Sequence, residues 1–297
     1  MHTIPNTAIS HIFSAEPHPV LEIDPGQSVC FQTLDASNNT ARTMEDALTK
    51  LTPPENANPV TGPVLIRGAE PGDTLAVRID RIDLGPQGYS RITRSGGVII
   101  SELSPPAAKL PRVQGDTVLF DDRISFPIRP MVGTIGVAPS GDAISTFHPG
   151  DHGGNMDQND VRIGSTVLLP IAVPGALLAI GDVHGSMGDG ELTGGGFDIE
   201  AEVTVTVDVR KQDPWPRPRI ETEEEWICCA NARDLRDAIR IATSDMATFL
   251  SQRLGISREE AFILIGCRGD ARIGQAAALD LDATARVAVP RMQVDSI

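Results

Sequence analysis

Two glycine-rich stretches in the middle of the chain carry residues that could bind a metal. The first covers residues 148–160 (HPGDHGGNMDQND) and the second residues 181–200 (GDVHGSMGDGELTGGGFDIE). Glycine at this density is unfavourable inside helices and strands, so both stretches are predicted to be loops on which side chains converge. They hold three of the six histidines and many carboxylates, but no cysteine. Imidazole with carboxylate and without thiolate is a ligand set for zinc, manganese or iron, and not for a cysteine zinc knuckle.

Four residues are candidate metal ligands. His184 follows Asp182 by two positions, which places both side chains on one face if the segment is extended. His152, on the first loop, could add a ligand or orient one. Asp35 comes at the end of a predicted strand, from which it could enter a site at the edge of a sheet. The alternative for Asp35 is a turn-forming aspartate that accepts hydrogen bonds from its own backbone.

Four further residues are candidates for catalysis. Asn155 suits recognition of a carbonyl or support of an oxyanion, and Glu200 or Glu191 could act as the general base. Asp157 could orient a ligand, or it could simply form a turn. Glu200 begins a strong strand and could instead face solvent. His148 precedes a proline and is interpreted as an ordinary surface or core histidine.

The composition excludes several classes of function. Its 297 residues with 40% hydrophobic content predict a folded protein with a sizeable core. A net charge of −15 and an aromatic content of 4% disfavour binding to nucleic acid or to an anionic membrane surface. No signal peptide or membrane span is visible in the sequence. Its four cysteines include no CxxC pair, which favours reduced thiols and a cytoplasmic location.

The hydrophobic pattern predicts a mainly β fold with a late helical hairpin, an α+β chain with many short strands in sandwich- or barrel-like sheets. One amphipathic helix is predicted over residues 231–255, and Ser257 opens a second, shorter one. We expect a single domain over residues 1–297, with a β-rich part at about 1–210 and a helix-containing part at about 226–297. The main strands are predicted at 20–34 (two strands around a turn), 74–82, 117–126, 131–137, 165–169, 176–180, 199–210 and 285–292.

Several of these stretches, in this order, resemble the acetamidase/formamidase family of amide hydrolases. They are TLDA from Thr33, TGPVLIRGAEPGDTLAVRI from Thr61, HGGNMD from His152, GSTVLLPIAVPGALLAIGDVHGSMGDGE from Gly164 and GDARIGQ from Gly269. The resemblance covers the chain from about residue 20, and the combination of GGNMD with GDxHxxxGDGE is its most specific part. It implies a β-rich fold, hydrolysis of a short aliphatic amide to a carboxylate and ammonia, and a homo-oligomer.

The residues and the resemblance together favour a metal-dependent amidase, most plausibly with zinc. An unactivated amide needs a strong nucleophile, oxyanion stabilisation and protonation of its nitrogen, and a metal ion with a carboxylate base can supply these. The alternative within enzymes is a cysteine or serine amidase that uses Cys267. A third hypothesis, from a different class, is a non-catalytic protein that binds a metal or another small ligand.

Overall fold

The computed structural model describes residues 1–16, 18–94, 96–277 and 281–292. Within these ranges the helices are α1 (Met44–Thr49), α2 (Leu235–Leu254) and α3 (Arg258–Arg268), with short 3₁₀ turns at Pro54–Asn56 and Ile100–Glu102. The remaining regular structure is β-strand. Among the described residues, no helix has both the length and the apolar character needed to cross a membrane.

The strands are short, and most are joined by tight turns. The first twelve are β1 (His2–Ile4), β2 (Ile9–Ser10), β3 (Ile12–Phe13), β4 (Leu21–Ile23), β5 (Ser28–Thr33), β6 (Val60–Ile66), β7 (Thr74–Leu84), β8 (Ser90–Ile92), β9 (Ala107–Lys109), β10 (Arg112–Gln114), β11 (Thr117–Leu119) and β12 (Ser125–Pro127). The others are β13 (Met131–Gly136), β14 (Ile144–Ser145), β15 (Pro149–Gly150), β16 (Gly153–Asn155), β17 (Thr166–Pro170), β18 (Leu178–His184), β19 (Ala201–Arg210), β20 (Arg219–Glu221), β21 (Glu225–Ala232), β22 (Asp270–Ile273) and β23 (Ala283–Pro290).

Two large sheets contain most of these strands. The nine-stranded sheet has the order β1-β5-β19-β7-β17-β20-β21-β23-β22, and the seven-stranded sheet has the order β15-β16-β13-β18-β6-β2, with β4 also paired to β6. Nearly all the pairs are antiparallel; β1 with β5 and β4 with β6 are parallel. Smaller sheets are formed by β10-β11-β12, by β14-β3 and by β8-β9.

The main core lies between the two large sheets. In β19 the valines Val203, Val205 and Val207 are fully buried, while the alternate residues face outward, as the period of two in the sequence predicts. Strands β13 and β18 are instead buried along their whole length. β18 packs Leu178, Ile180 and Val183 into the core, and its Asp182 and His184 are also buried inside the protein. The mainly β fold class predicted from the sequence is confirmed.

The late helical hairpin is also confirmed, and it covers one end of the nine-stranded sheet. Helix α2 begins after Asp234, whose carboxylate accepts from two backbone N–H groups, and ends at Gly255 in the left-handed conformation. Ser257 caps α3 in a capping box with Glu260. The apolar face of α2, which includes Met246 and Leu250, packs against β21 and β23 in a second core cluster.

Two predicted strands are wrong in detail. The predicted strand at 117–126 is two antiparallel strands, β11 and β12, because the Asp121 carboxylate accepts from the N–H groups of Arg123 and Ile124 and so closes a turn. The strand predicted at 176–180 begins only at Leu178, because Ala176 and Leu177 have positive φ angles, and it continues to His184. His184 therefore lies at the end of a strand and not within a loop. The division of the chain into a β-rich and a helix-containing part stays a prediction.

Candidate metal and active site

The end of β18 brings Asp182 and His184 to one buried face, as their two-residue spacing predicts. His184 Nε2 lies 3.4 Å from Asp182 Oδ1 and 3.3 Å from Asp198 Oδ1. All three side chains are almost completely enclosed. Asp198 comes from the end of the second glycine-rich stretch, where it forms an isolated bridge with His184. Two carboxylates and an imidazole therefore meet in the interior.

The neighbouring strand β13 leaves room for these carboxylates by having a glycine at position 133. A Cβ at Gly133 would lie 2.6 Å from Asp157 Oδ1 and 2.8 Å from the backbone oxygen of Asp182. Both distances are too short for any side chain, so glycine is required here by close approach. Gly196 has the same role behind His184, where a Cβ would lie 2.7 Å from Nδ1. No local sequence pattern predicts either close approach.

Asp157 and Glu191 complete the cluster from the two glycine-rich loops. The donor atoms of Asp157, His184 and Glu191 lie within 4.8 Å of one another, and so do those of Asp182, His184 and Asp198. His184 belongs to both groups. Of the predicted site residues, the structure thus brings together Asp157, Asp182, His184 and Glu191. We call these four residues with Asp198 the acidic cluster.

The backbone is strained at three of its members. Asp157, Asp182 and Glu191 have φ angles of 49°, 52° and 45°. Residues other than glycine rarely adopt this left-handed conformation, and such strain concentrates at functional sites where the surrounding structure enforces it. The angles therefore indicate that tertiary contacts, and not local backbone preference, determine the positions of these carboxylates.

Several polar atoms of the cluster have no hydrogen-bond partner among the described residues. They are both carboxylate oxygens of Asp157, Nδ1 of His184 and Oδ1 of Asp198. Buried polar atoms are nearly always hydrogen-bonded, and buried charges are paired or coordinate metals. Unpartnered carboxylate and imidazole atoms this close together are a suitable donor set for a divalent cation.

The carboxylates of the cluster are buried close together, and this raises their pKa values. Burial, together with the neighbouring Asp182, raises the pKa of Asp157 to about 7. Burial and the charge of Asp157 raise the pKa of Glu191 well above its usual value. Burial opposes the charged form of His184, but the surrounding carboxylates outweigh it and raise the His184 pKa well above its usual value. These carboxylates repel one another, and a cation would relieve that repulsion.

A layer of neutral side chains holds the cluster from one side. Asn155 Oδ1 accepts from Asn58 Nδ2 at 3.2 Å and from Thr134 Oγ1 at 3.0 Å, and Asn155 Nδ2 donates to the carbonyl of Phe147 at 3.2 Å. Asn58 Nδ2 also donates to Asp182 Oδ2 at 2.9 Å. Asn155 is therefore fixed next to the acids. Its predicted contact with a substrate carbonyl stays a prediction.

The chain's single tyrosine lies on the other side of the cluster. Tyr89 is buried, and its hydroxyl accepts a hydrogen bond from Ser37 Oγ at 2.6 Å. The guanidinium of Arg91 lies over the ring, 4.8 Å from its centroid. Burial and the nearby Asp198 raise the Tyr89 pKa well above its usual value. Sequence reasoning missed Tyr89 because its segment showed no periodicity, and it did not distinguish Asp198 from the other acids of its loop.

A cavity of about 190 Å³ opens onto the cluster. Its walls include His184, Glu191, Asp198, Asn155, Tyr89 and Arg91. The cavity is small and strongly polar where it meets the acids. Such a site can hold a small polar molecule against several titratable groups with raised pKa values, which is typical of an active site.

Asp35 is in neither donor group. Its Oδ1 accepts from the backbone N–H groups of Ser37 at 2.9 Å and Asn39 at 2.7 Å, so it forms the turn that the alternative interpretation describes. Burial raises its pKa to about 6, although the two N–H donors oppose this. Its meeting with His184 at one metal is not part of the described geometry and stays a prediction.

His152 and Glu200 are also outside the donor groups. His152 is buried, lies edge-on to Phe13 with ring centroids 4.9 Å apart, and has no hydrogen-bond partner for either ring nitrogen among the described residues. Glu200 Oε2 accepts from Asn39 Nδ2 at 2.5 Å and from Arg42 at 2.7 Å, and its side chain is 30% exposed. An ion pair of this kind leaves Glu200 less suited to be a base than Glu191.

Cys267, the nucleophile of the alternative mechanism, is exposed on α3 and does not line the cavity. The other three cysteines are buried and free. Burial raises the pKa of Cys229 to about 12 and the pKa of Cys228 well above its usual value, so neither forms a reactive thiolate at neutral pH.

Solved structures similar to this chain are amidases by name. An acetamidase from Bacillus halodurans is 36% identical, with a TM-score of 0.93 and coverage of 97% of both chains. A "predicted acetamidase/formamidase" from Thermoanaerobacter tengcongensis is 32% identical, with a TM-score of 0.93 and coverage of 97% of this chain and 95% of that one.

Curated relatives match more distantly. The acetamidase of Mycolicibacterium smegmatis is 28% identical over 218 residues, which are 51% of this chain and 53% of the relative. This chain spans about half to three fifths of the length of the curated relatives it matches. The model of the acetamidase/formamidase family matches residues 13–147 and 141–218. The chain therefore belongs to the acetamidase/formamidase family.

Proposed function

We propose that this protein is a metal-dependent amidase that hydrolyses short aliphatic amides, of the formamide and acetamide type, to a carboxylate and ammonia. The observation that carries the proposal is the acidic cluster: several of its buried donor atoms have no partner among the described residues, and four of its members line a cavity of about 190 Å³. The names of the similar amidases support the substrate class.

The cavity is large enough for a short substrate. A water molecule occupies about 30 Å³ in the liquid, so the cavity has room for a short amide together with a water molecule. The polar wall would orient the amide group, and Asn155, which is held by Asn58 and Thr134 and lines the cavity, would contact its carbonyl. The reaction adds water to the carbonyl carbon and breaks the C–N bond.

The cation would be held by His184 with Asp157, Asp182 and Asp198 from the acidic cluster, and zinc is the ion we propose. When bound, such an ion polarises the amide carbonyl and makes a nearby water molecule more acidic. Asp35 and His152 belong to the ligand set predicted from the sequence. The arrangement around His184 supports a set without them.

Glu191 is the residue we propose as general acid and base. Its side chain reaches the cavity from the second loop, and its raised pKa allows it to take a proton from water and return it to the leaving nitrogen. Tyr89 and Arg91 also line the cavity. A cytoplasmic homo-oligomer remains the assembly we propose.

One experiment tests the proposal. Ammonia release is measured from formamide, acetamide and longer amides, with metal analysis of the same sample and treatment by a chelator or by a thiol reagent. Loss of activity with chelator but not with thiol reagent supports the proposal. The reverse pattern would favour Cys267 as a nucleophile, and bound metal without any ammonia release would favour a non-catalytic binding protein.

A further inference from the structure

An arginine behind the acidic cluster holds both of the loops that supply its carboxylates. Arg286 lies in the middle of β23, in the apolar run ARVAVP, and is the largest fully buried side chain in the described structure. Its side chain is 2% exposed and does not line the cavity. Burying a guanidinium is unfavourable unless its N–H groups are paired, so the partners of Arg286 indicate what it does.

These partners lie on the two glycine-rich loops. Nε donates to Asp160 Oδ2 at 2.5 Å, and Nη1 donates to Gln158 Oε1 at 3.0 Å on the first loop. Nη2 donates to both carboxylate oxygens of Asp189 on the second loop, at 2.9 and 3.1 Å. One further bond goes from Nη1 to the backbone carbonyl of Ile273 at 3.0 Å, on the neighbouring strand β22. The planar fork of arginine suits this arrangement, because its donors point in fixed directions.

Each loop carries a member of the acidic cluster next to the residue that Arg286 binds. Asp157 directly precedes Gln158, and Glu191 follows Asp189 by two positions. Both Asp157 and Glu191 have left-handed backbone angles, which need support from outside the loop. Asn159 Nδ2 joins the loops directly by donating to Asp189 Oδ1 at 2.7 Å. The loops are therefore tied to each other and to β23.

We propose that Arg286 is a positioning residue that sets the distance between Asp157 and Glu191. It holds their two loops against β23, and so determines how well the acidic cluster binds a divalent cation and how fast the site turns over amides. The proposal rests on the function proposed above. Strands β22 and β23 contribute no residue to the acidic cluster. According to this proposal, β23 nevertheless determines the geometry of the site through Arg286.

The test compares two buried arginines of the same sheet. Arg286→Met removes the fork and keeps most of the volume. The control is Arg219→Met: Arg219 lies on β20, its side chain is 7% exposed, and it pairs with Asp213 at 3.1 Å and stacks on Trp215 at 4.4 Å. Among the described contacts, Arg219 has none with the two loops. Both changes remove a buried cation, so only their effect on the site should differ.

Zn²⁺ affinity is measured by competition with a chromophoric chelator, and kcat and KM are measured with acetamide, at a temperature at which every variant is folded. We expect Arg286→Met to weaken Zn²⁺ binding at least tenfold and to lower kcat about 100-fold, the scale of a misplacement of about 1 Å, with KM within a few-fold of wild type. Arg286→Lys keeps the charge but not the planar guanidinium. Its Zn²⁺ affinity and kcat should lie between those of Arg286→Met and wild type. Arg219→Met should keep both quantities within about threefold of wild type.

Two results would overturn the proposal. One is a folded Arg286→Met protein with the Zn²⁺ affinity and kcat of wild type. The other is an equal loss in Arg219→Met, which would show a general effect of losing a buried arginine. If Arg286→Met does not fold, Asp189→Asn replaces it, because this side chain is 42% exposed and its change removes one of the clamped carboxylates. A wild-type Zn²⁺ affinity and kcat in Asp189→Asn would then refute the positioning role of Arg286.

The same measurements separate this proposal from the proposed function. A wild-type protein that binds Zn²⁺ but releases no ammonia would disprove the amidase function, and Zn²⁺ affinity would still test Arg286. A wild-type protein that hydrolyses amides without binding Zn²⁺ would disprove the metal dependence, and kcat would still test Arg286. A wild-type protein that does neither overturns both proposals.

Discussion

His152 should make the protein less stable in acid by a predictable amount. Burial without any hydrogen-bond partner lowers its pKa from 6.5 to about 4. Since the folded state holds the proton less tightly than the unfolded state, the unfolded state is protonated first as the pH falls. The contribution of His152 to the unfolding free energy is therefore fully present above pH 6.5, and it is lost as the pH falls toward 4. A difference of about 2.5 pKa units corresponds to about 3 kcal/mol of unfolding free energy.

The assay is urea denaturation of wild type and His152→Gln at a series of pH values, in the presence of a chelator. Other buried groups, such as Asp157 and Glu191, have raised pKa values and change stability in the opposite direction, but both proteins contain them. The difference between the two proteins therefore isolates His152. We expect wild type to lose about 2.5 kcal/mol more than His152→Gln between about pH 7.5 and pH 4.5.

A pH-independent difference between the two proteins would refute this reasoning, because it would mean that the imidazole is protonated equally in both states. Metal analysis of the same samples tests the ligand role predicted for His152 from the sequence. A buried neutral histidine outside the acidic cluster should leave the metal content of His152→Gln unchanged. Loss of metal in this variant would instead return His152 to the ligand set.

Three further predictions concern the site. Glu191→Gln should lower kcat by roughly 10²- to 10⁴-fold, as expected for loss of a general acid–base group, while its matched control Glu200→Gln keeps most of its activity; the opposite ranking in an ammonia assay would make Glu200 the base. Gly133→Ala should weaken metal binding and turnover together, because its methyl group would displace Asp157 and Asp182, and unchanged metal stoichiometry would contradict this. Asp35→Asn should retain metal, since its Oδ1 accepts only turn hydrogen bonds among the described contacts; a metal-free variant would restore the ligand role predicted for it from the sequence.

The regular parts of the fold could be predicted because their sequence patterns have a simple physical origin. The alternation in β19 reflects one face packed in the core, and the three- and four-residue spacing in α2 reflects one face packed on a sheet. The end of α2 followed from Gly255, which adopts the left-handed conformation that other residues avoid. These are local rules, and they hold whatever lies on the other side of the chain.

The site was predictable only where local sequence determines it. Asp182 and His184 share a face because they are two residues apart on one strand. Asp157 and Glu191 were candidates through their glycine-rich loops, although no rule from the sequence gives their distance. The ion pair between Glu200 and Arg42 could not be predicted, because it joins residues that lie 158 positions apart in the sequence. Tyr89 was missed for the same reason, since its neighbours Ser37 and Asp198 lie far from it in the sequence.

The order of strands in the nine-stranded sheet has a consequence for the protein during synthesis. Thr33 on β5 lies opposite Ala201 on β19, 168 residues later, so the central pairing must wait for most of the chain to leave the ribosome. β23 comes later still, and the hydrogen bonds from Arg286 reach back to loops that emerged more than 90 residues earlier. The residues of the acidic cluster are therefore synthesised well before β23, the strand whose Arg286 binds their loops. A chain that lacks β23 therefore lacks the hydrogen bonds from Arg286 to both loops.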